Sequence, residues 1–276
     1  MLVILAQYAG ACYGVERALS LVAEAARTEA PVHTLGPLIH NPQVVSELER
    51  HAIGEVRHVD DIETGIIVIR SHGVAPQVIE AAHARGLTVV DATCPHVQKA
   101  QQAARRLGQE GYTVVIVGER GHPEVEAIKA YAGGDPLVVQ DVADLPDRLP
   151  TARIGVVVQT TQSEHNLEAI IANLRQRGIK PLVNNTICFA TRQRQQAAAR
   201  LAREVPAMIV VGGRNSGNTT RLYQICKAAC ARSYHIEQAS ELKPSWFCGV
   251  DTVGLTAGAS TPPEQIDAVQ AALEAL

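Results

Sequence analysis

Residues 88–110 read TVVDATCPHVQKAQQAARRLGQE, and their order decides the fold. A β-branched run, Thr88 to Val90, has the composition of a strand. A polar turn carrying Cys94 follows, then a long segment, 96–110, with apolar residues at helical spacing. The same succession recurs around Cys12 in GACYGVERAL and around Cys188 in NTICFATRQR. Further apolar runs lie at 2–6, 66–70, 113–117, 154–158, 208–211 and 252–256. Continuous apolarity over so few residues fits strands buried on both faces of a parallel sheet. Helical spacing returns in 15–26, 164–177, 191–204 and 218–231. A last helix is expected with Thr261 as its cap and Pro262 at its first position. Alternating strand and helix gives the α/β class.

The three cysteines divide the chain at 1–94, 95–187 and 188–276. These segments are expected to be three small α/β units in a trefoil-like, pseudo-threefold arrangement around a shared centre. They show no close sequence repeat, so the expectation is architectural. A single Rossmann sheet is the plainer alternative, but no G-x-G-x-x-G follows an early strand. No long Pro/Gly/Ser linker separates the segments, so tight packing is expected.

Composition narrows the function classes. A net charge of −3 over 276 residues argues against a nucleic-acid partner, which needs a basic face. Aromatic residues are only 3%, too few for a base-stacking platform. No apolar run approaches the length of a membrane span, and residues 1–6 are too short for a signal peptide. The expected location is the cytoplasm, where thiols stay reduced and six cysteines are ligands or core residues rather than disulfides.

Cys12, Cys94 and Cys188 are too far apart for a local zinc knuckle or a compact ferredoxin-type run. Presented to one centre, they supply three thiolates and leave one position open. An iron–sulfur cluster with one cysteine-free iron can act there as a Lewis acid. The loops after the strands are polar as well. Ser71-His72-Gly73, Gly121-His122-Pro123-Glu124, Gln159-Thr160-Thr161, Asn215-Ser216-Gly217-Asn218 and Gly258-Ala259-Ser260 each follow an apolar run, and His40-Asn41 precedes a helix near Pro42. Hydroxyl, amide and imidazole donors ahead of helix N-termini suit a phosphate or diphosphate. Taken singly, Ser260 and Thr219 are ordinary helix caps and Glu124 an ordinary first-turn acid. Their recurrence after strand upon strand, alternating with three cysteines, favours the functional reading.

These residues resemble the LytB family of 4-hydroxy-3-methylbut-2-enyl diphosphate reductases, essentially end to end. The resemblance rests on Cys12-x-Gly14-Val15 with Arg17, His40-Asn41, Ser71-His72-Gly73, and Asp91-Ala92-Thr93-Cys94-Pro95-x-Val97. It continues through Gly121-His122-Pro123-Glu124, Gln159-Thr160-Thr161, Asn185-Thr186-Ile187-Cys188-x-Ala190-Thr191, Asn215-Ser216-x-Asn218 and Thr256-Ala257-Gly258-Ala259-Ser260. It implies one 4Fe–4S cluster per chain on Cys12, Cys94 and Cys188, with one iron free of cysteine. It implies that His40, His72, His122, Ser216, Asn218 and Ser260 bind the diphosphate of an allylic substrate. The substrate's hydroxyl would lie near Thr160 and Glu124, the candidate acid, and the products would be isopentenyl and dimethylallyl diphosphate. Electrons would come from a donor such as ferredoxin or flavodoxin. Two positions depart from the family pattern: Gly217 stands where many members carry a second serine, and Ala11 stands before the first cysteine where Phe is common.

Two rivals are weaker. A zinc hydrolase would need H-E-x-x-H or a similar close pair of ligands, which is missing. A redox sensor would carry a DNA-binding or partner module, and no basic segment of that kind stands out. Cys226 and Cys230, four apart on one helix face, and Cys248 beside Trp246 and Phe247 read as packing residues.

Overall fold

Each of the apolar runs forms a strand in the computed structural model, which describes residues 1–276. In chain order the elements begin β1 (Leu2–Leu5), α1 (Tyr13–Ala25), β2 (Val32–Leu35), α2 (Pro42–Arg50), β3 (Gly54–Val56), β4 (Ile66–Ile69), α3 (Pro76–Ala84), β5 (Thr88–Asp91) and α4 (Pro95–Gln109). The middle comprises β6 (Thr113–Val117), α5 (Pro123–Ala132), β7 (Leu137–Val139), β8 (Ile154–Val158), α6 (Glu164–Gln176) and β9 (Leu182–Asn184). The last part comprises α7 (Phe189–Glu204), β10 (Met208–Val211), α8 (Gly217–Ala229), β11 (Ser233–Ile236), β12 (Thr252–Ala257) and α9 (Pro263–Glu274).

The strands make three separate four-stranded sheets, and every strand pair is parallel. The single Rossmann sheet is thereby excluded. The orders are β3-β2-β4-β5, β7-β6-β8-β9 and β11-β10-β12-β1. These are one plan used three times, with β1 filling in the last sheet the place that β5 and β9 fill in the others. The chain packs as two units. One comprises Met1–Val15, His40–Gln43 and Phe189–Leu276 and contains the sheet ending in β1. The other comprises Glu16–Ile39 and Val44–Cys188 and contains the other two sheets.

The long central strands behave as their composition predicts: β4, β8 and β10 are buried at every residue, as is β6 beyond Thr113. β1 does not. It is an edge strand, and Leu2, Ile4 and Leu5 remain exposed, so its apolar run does not mark burial on both faces. Five strands of three or four residues, β2, β3, β7, β9 and β11, had no apolar run long enough to announce them.

In α4, Val97, Ala100, Gln101, Ala104 and Leu107 are buried at intervals of three and four, while Lys99, Gln102, Arg105 and Arg106 face solvent. Pro95 fits the first turn because its missing N–H is one the helix leaves unpaired anyway. The buried stripe joins Val114, Ile116, Val125, Ile128 and Val157 in one apolar cluster, so α4 leaves the sheet of β5 and covers that of β6. In the same way α7 covers the sheet of β10 through Ala198, Leu201 and Ala202. The final helix starts one residue later than expected. Pro262 is the cap and Pro263 the first helical residue, because the Thr261 hydroxyl is engaged elsewhere, donating to the Val211 carbonyl at 3.1 Å.

The approach of α4 to α5 depends on Gly108, where an added Cβ would lie 2.0 Å from the Ala132 carbonyl oxygen. Glycine to alanine in a helix ordinarily stabilises by about 1 kcal/mol. Here the clash should reverse the sign, and Gly108→Ala is expected to cost about 1–3 kcal/mol in denaturant unfolding. A variant more stable than the parent would show that the helices do not approach this closely.

Candidate active site

The three cysteines occupy equivalent turns. Each follows the fourth strand of a sheet and precedes a helix: β5 leads through Cys94 to α4, β9 through Cys188 to α7, and β1 through Cys12 to α1. The Cys94 N–H donates to the Ser71 carbonyl at 3.0 Å, the Cys188 N–H to Thr160 at 3.1 Å, and the Cys12 N–H to Ala259 at 3.1 Å. Each acceptor is the second residue beyond a third strand, β4, β8 or β12. The repetition continues. The fifth residue beyond each first strand is His40 after β2, His122 after β6 and Ser216 after β10. The third residue beyond each third strand is His72, Thr161 or Ser260. The site residues expected from the sequence therefore fall at repeated positions of one plan.

Arginines brace the cysteine turns, and sequence reading missed this role. Arg17, on α1 after Cys12, donates to the carbonyls of Thr93 and Asp91, both at 3.3 Å, just ahead of Cys94. Arg106, on α4 after Cys94, donates to Asn184 Oδ1 at 2.9 Å, ahead of Cys188. Arg194, on α7 after Cys188, is 3% exposed and donates to the Gly10 carbonyl at 2.7 Å, ahead of Cys12. Each helix leaving one cysteine thus supports the turn of another. Charge-assisted hydrogen bonds of this kind hold a turn more firmly than neutral ones.

The donor chemistry of these turns fits an iron–sulfur cluster. Cys12, Cys94 and Cys188 are cysteines of intermediate burial, joined in no disulfide, at helix N-termini, the end that favours an anion. Cys226 and Cys230 differ. They are buried, and burial followed by the neighbouring Cys230 pushes the Cys226 thiol up to about 12, so it remains protonated core. Cys248 is exposed and lies apart from any such turn.

The candidate acid, Glu124, is built in the second unit. Pro123 starts α5, and His122 caps it by accepting the Glu124 N–H at Nδ1, 3.1 Å away. With Nδ1 an acceptor, the proton of a neutral His122 ring would lie on Nε2. Glu124 is only 2% exposed. Its Oε1 accepts from the Thr160 N–H at 2.6 Å and its Oε2 from the Thr160 hydroxyl at 2.9 Å. Burial raises its pKa to about 7, against the opposing Thr160 hydrogen bonds and with a smaller upward push from Glu119. A carboxyl so held carries a proton near neutrality and can release it. Thr160 also accepts the Cys188 N–H, so acid and cysteine turn share one residue. His72 lies edge-on to His122, with ring centroids 5.6 Å apart. The turn carrying His72 needs Gly73, which has φ +72° and would place a Cβ 2.3 Å from Gln101 Nε2.

The first unit supplies neutral donors. Ser216 caps α8, its hydroxyl accepting from the Thr219 N–H at 3.3 Å. Asn218 is 5% exposed, and its Nδ2 has no protein partner. A buried amide without a partner is a donor placed for an acceptor from outside the chain. The Ser260 hydroxyl donates to the His40 carbonyl at 2.9 Å. Asn41 ties the two loops together, its Nδ2 donating to the Ser260 carbonyl at 2.8 Å and to Gln265 Oε1 at 2.9 Å. The tie from Asn41 to Gln265 was not visible in the sequence, because the two residues lie 224 positions apart.

Fold and site together place the chain among α/β proteins that gather polar groups at the ends of parallel strands. The family model described as LytB protein matches residues 3–274, and the chain belongs to that family. It is 49% identical over 270 residues to 4-hydroxy-3-methylbut-2-enyl diphosphate reductase of Pelobacter propionicus, covering 98% of this chain and 96% of that one. The enzyme of the same name from Geobacter sp. is 50% identical over 271 residues, covering 98% and 95%. Among solved structures, (E)-4-hydroxy-3-methyl-but-2-enyl diphosphate reductase, the terminal enzyme of the non-mevalonate pathway, matches over 100% of both chains with 42% identity and a TM-score of 0.72. The reductase from Plasmodium falciparum matches with a TM-score of 0.90 and 26% identity, over 96% of this chain and 86% of that one. No helix is long and apolar enough to cross a membrane.

Proposed function

We propose that the chain reduces 4-hydroxy-3-methylbut-2-enyl diphosphate to isopentenyl and dimethylallyl diphosphate, the last step of the non-mevalonate isoprenoid route. The observation that carries this reading is the buried Glu124 carboxyl, with a pKa near 7, hydrogen-bonded through Thr160 to the turn of Cys188. Two electrons and two protons enter, the allylic C–O bond breaks, a C–H bond forms and water leaves. Cys12, Cys94 and Cys188 would hold one 4Fe–4S cluster; of the three α/β units 1–94, 95–187 and 188–276, the first carries Cys12 and Cys94 and the third Cys188, while each cysteine follows the last strand of a different sheet, β1, β5 or β9. When bound, the cluster supplies electrons one at a time and an iron free of cysteine as a Lewis acid.

The protein residues do the rest. His40, His72, His122, Ser216, Asn218 and Ser260 bind the diphosphate, largely through neutral donors. Asn218 Nδ2 gains the acceptor it lacks within the chain. Thr160 orients the substrate hydroxyl and passes to it the proton held on Glu124, which is then restored from solvent. Cysteines joined in no disulfide and a cluster centre suit the reducing cytoplasm.

The test is an oxygen-free assay with dithionite as reductant and mass detection of the five-carbon diphosphates. Loss of one oxygen from the substrate, with both products formed, is expected. A protein that carries its cluster and leaves the substrate intact would exclude the reading.

A further inference from the structure

The reaction proposed above consumes two electrons per turnover that the chain cannot generate, so a carrier must reach the cysteines. The charge pattern points to where. Between Asp91 and Glu110 the sequence has three Lys/Arg and no acidic residue; between Glu168 and Glu204 it has seven and none. These two stretches contain Cys94 and Cys188. The rest of the chain carries 15 basic and 28 acidic residues, a net −13, so positive charge is concentrated around two of the three cysteines.

In the second unit both stretches line one open groove of about 530 Å³, formed by Lys99, Gln102, Ala103 and Arg106 of α4 with Asn184, Asn185 and Thr186. Lys99, Gln102 and Arg106 form one exposed stripe on the helix. Neither Lys99 nor Arg106 pairs with an acid, whereas Arg85, Arg120, Lys129 and Arg214 all do. Lys99 is a cation that a partner's carboxylates can engage without first displacing an internal partner, while Arg106 adds its charge from its hydrogen bond to Asn184. β9, whose Asn184 lines the groove, is the free edge of its sheet, and Leu182 on the same strand is 44% exposed.

The groove is also close to the chemistry. Lys99 lies five residues beyond Cys94, about 7.5 Å along the helix axis. Thr186 lies two residues before Cys188, at most about 7 Å along the chain.

We propose that this groove docks the acidic face of a small one-electron carrier protein of flavodoxin or ferredoxin type. Two successive encounters each oxidise one carrier by one electron, which together match the two electrons the substrate takes up. Weak, steered encounters suit such traffic: carrier interfaces are small, and charge raises the association rate more than the final affinity.

The test uses the cluster-loaded protein and a purified acidic flavodoxin. Lys99→Glu with Gln102→Glu reverses the stripe while sparing Arg106, which braces the Cys188 turn. At low ionic strength the variant should bind flavodoxin about tenfold more weakly, and high salt should weaken the parent by a similar factor. Dithionite-driven turnover, which needs no docking, should stay at the parent level. Arg148→Glu, a charge reversal outside the groove, should leave binding unchanged. Equal binding by parent and Lys99 variant, or equal loss in the Arg148 control, would overturn the proposal. Absence of dithionite-driven turnover in the parent would instead remove the reaction, and the binding arm would still decide the docking surface.

Discussion

Replacing Glu124 with Gln is expected to stabilise the metal-free protein on the alkaline side of neutrality and to abolish most turnover. Both effects have one cause. In the folded chain the carboxyl has a pKa of about 7, well above the ordinary 4.5, chiefly because burial penalises its charge. Between those values the native state holds a proton that the unfolded chain has released, so this group's contribution to stability falls as pH rises from about 4.5 through about 7. Above that range the buried carboxylate costs roughly 3 kcal/mol. Glutamine never ionises. It also keeps the local geometry, its Oε1 accepting the Thr160 N–H and its Nε2 donating to the Thr160 hydroxyl. Chemical denaturation should therefore find parent and variant alike at acid pH, with the variant ahead by up to about 3 kcal/mol in the alkaline range. Turnover should fall by about 10²-fold or more while substrate still binds, since the amide has no proton to give. In the parent, the rate should decline as pH rises through about 7. Parallel stability profiles would mean the carboxyl is not held protonated, and parent-level turnover would take Glu124 out of proton delivery.

The fold was legible where burial is two-sided. The central strands β4, β6, β8, β10 and β12 are each written as an apolar run, whereas central β2 (VHTL) is interrupted by polar residues and β1 carries an apolar run at an exposed edge. The short strands β3, β7, β9 and β11 lie at sheet edges, where one side of the ladder faces no partner and composition is unconstrained. The pairing of β1 with β12 joins residues some 250 positions apart and has no local signature. The candidate site was legible for a different reason. Its residues lie at loops after strands, where His, Ser, Asn and Cys stand out against apolar flanks. The arginines that hold those loops were not, because Arg17 and Arg194 reach carbonyls 76 and 184 residues away, and any arginine on a helix looks the same in sequence. The recurring offsets do offer a signal. Position three beyond β4, β8 and β12 and position five beyond β2, β6 and β10 carry His, Ser or Thr in all three sheets, a regularity visible once strand ends are known.

The second large effect is at Cys94. Purified without oxygen, the parent should be brown, with about four irons and four sulfides per chain. Cys94→Ser should lose the colour and all measurable reductase activity. The variant is informative because it should fold. Cys94 is the cap residue of α4 and makes no side-chain hydrogen bond there. Serine is among the preferred caps, so the metal-free variant should match the parent or exceed it by about 0.5–1 kcal/mol. The backbone supports of the turn do not involve sulfur: the Cys94 N–H to Ser71 and the Arg17 donations to Thr93 and Asp91 all survive the change. Loss of colour with an unchanged melting transition would then assign the effect to a missing thiolate and not to a broken turn. Cys248→Ser, at an exposed cysteine outside the three turns, should keep the colour. A Cys94→Ser protein that stays brown would overturn the three-cysteine centre. So would a parent that remains colourless after reconstitution with iron and sulfide, since Cys12, Cys94 and Cys188 would then have no cluster to hold.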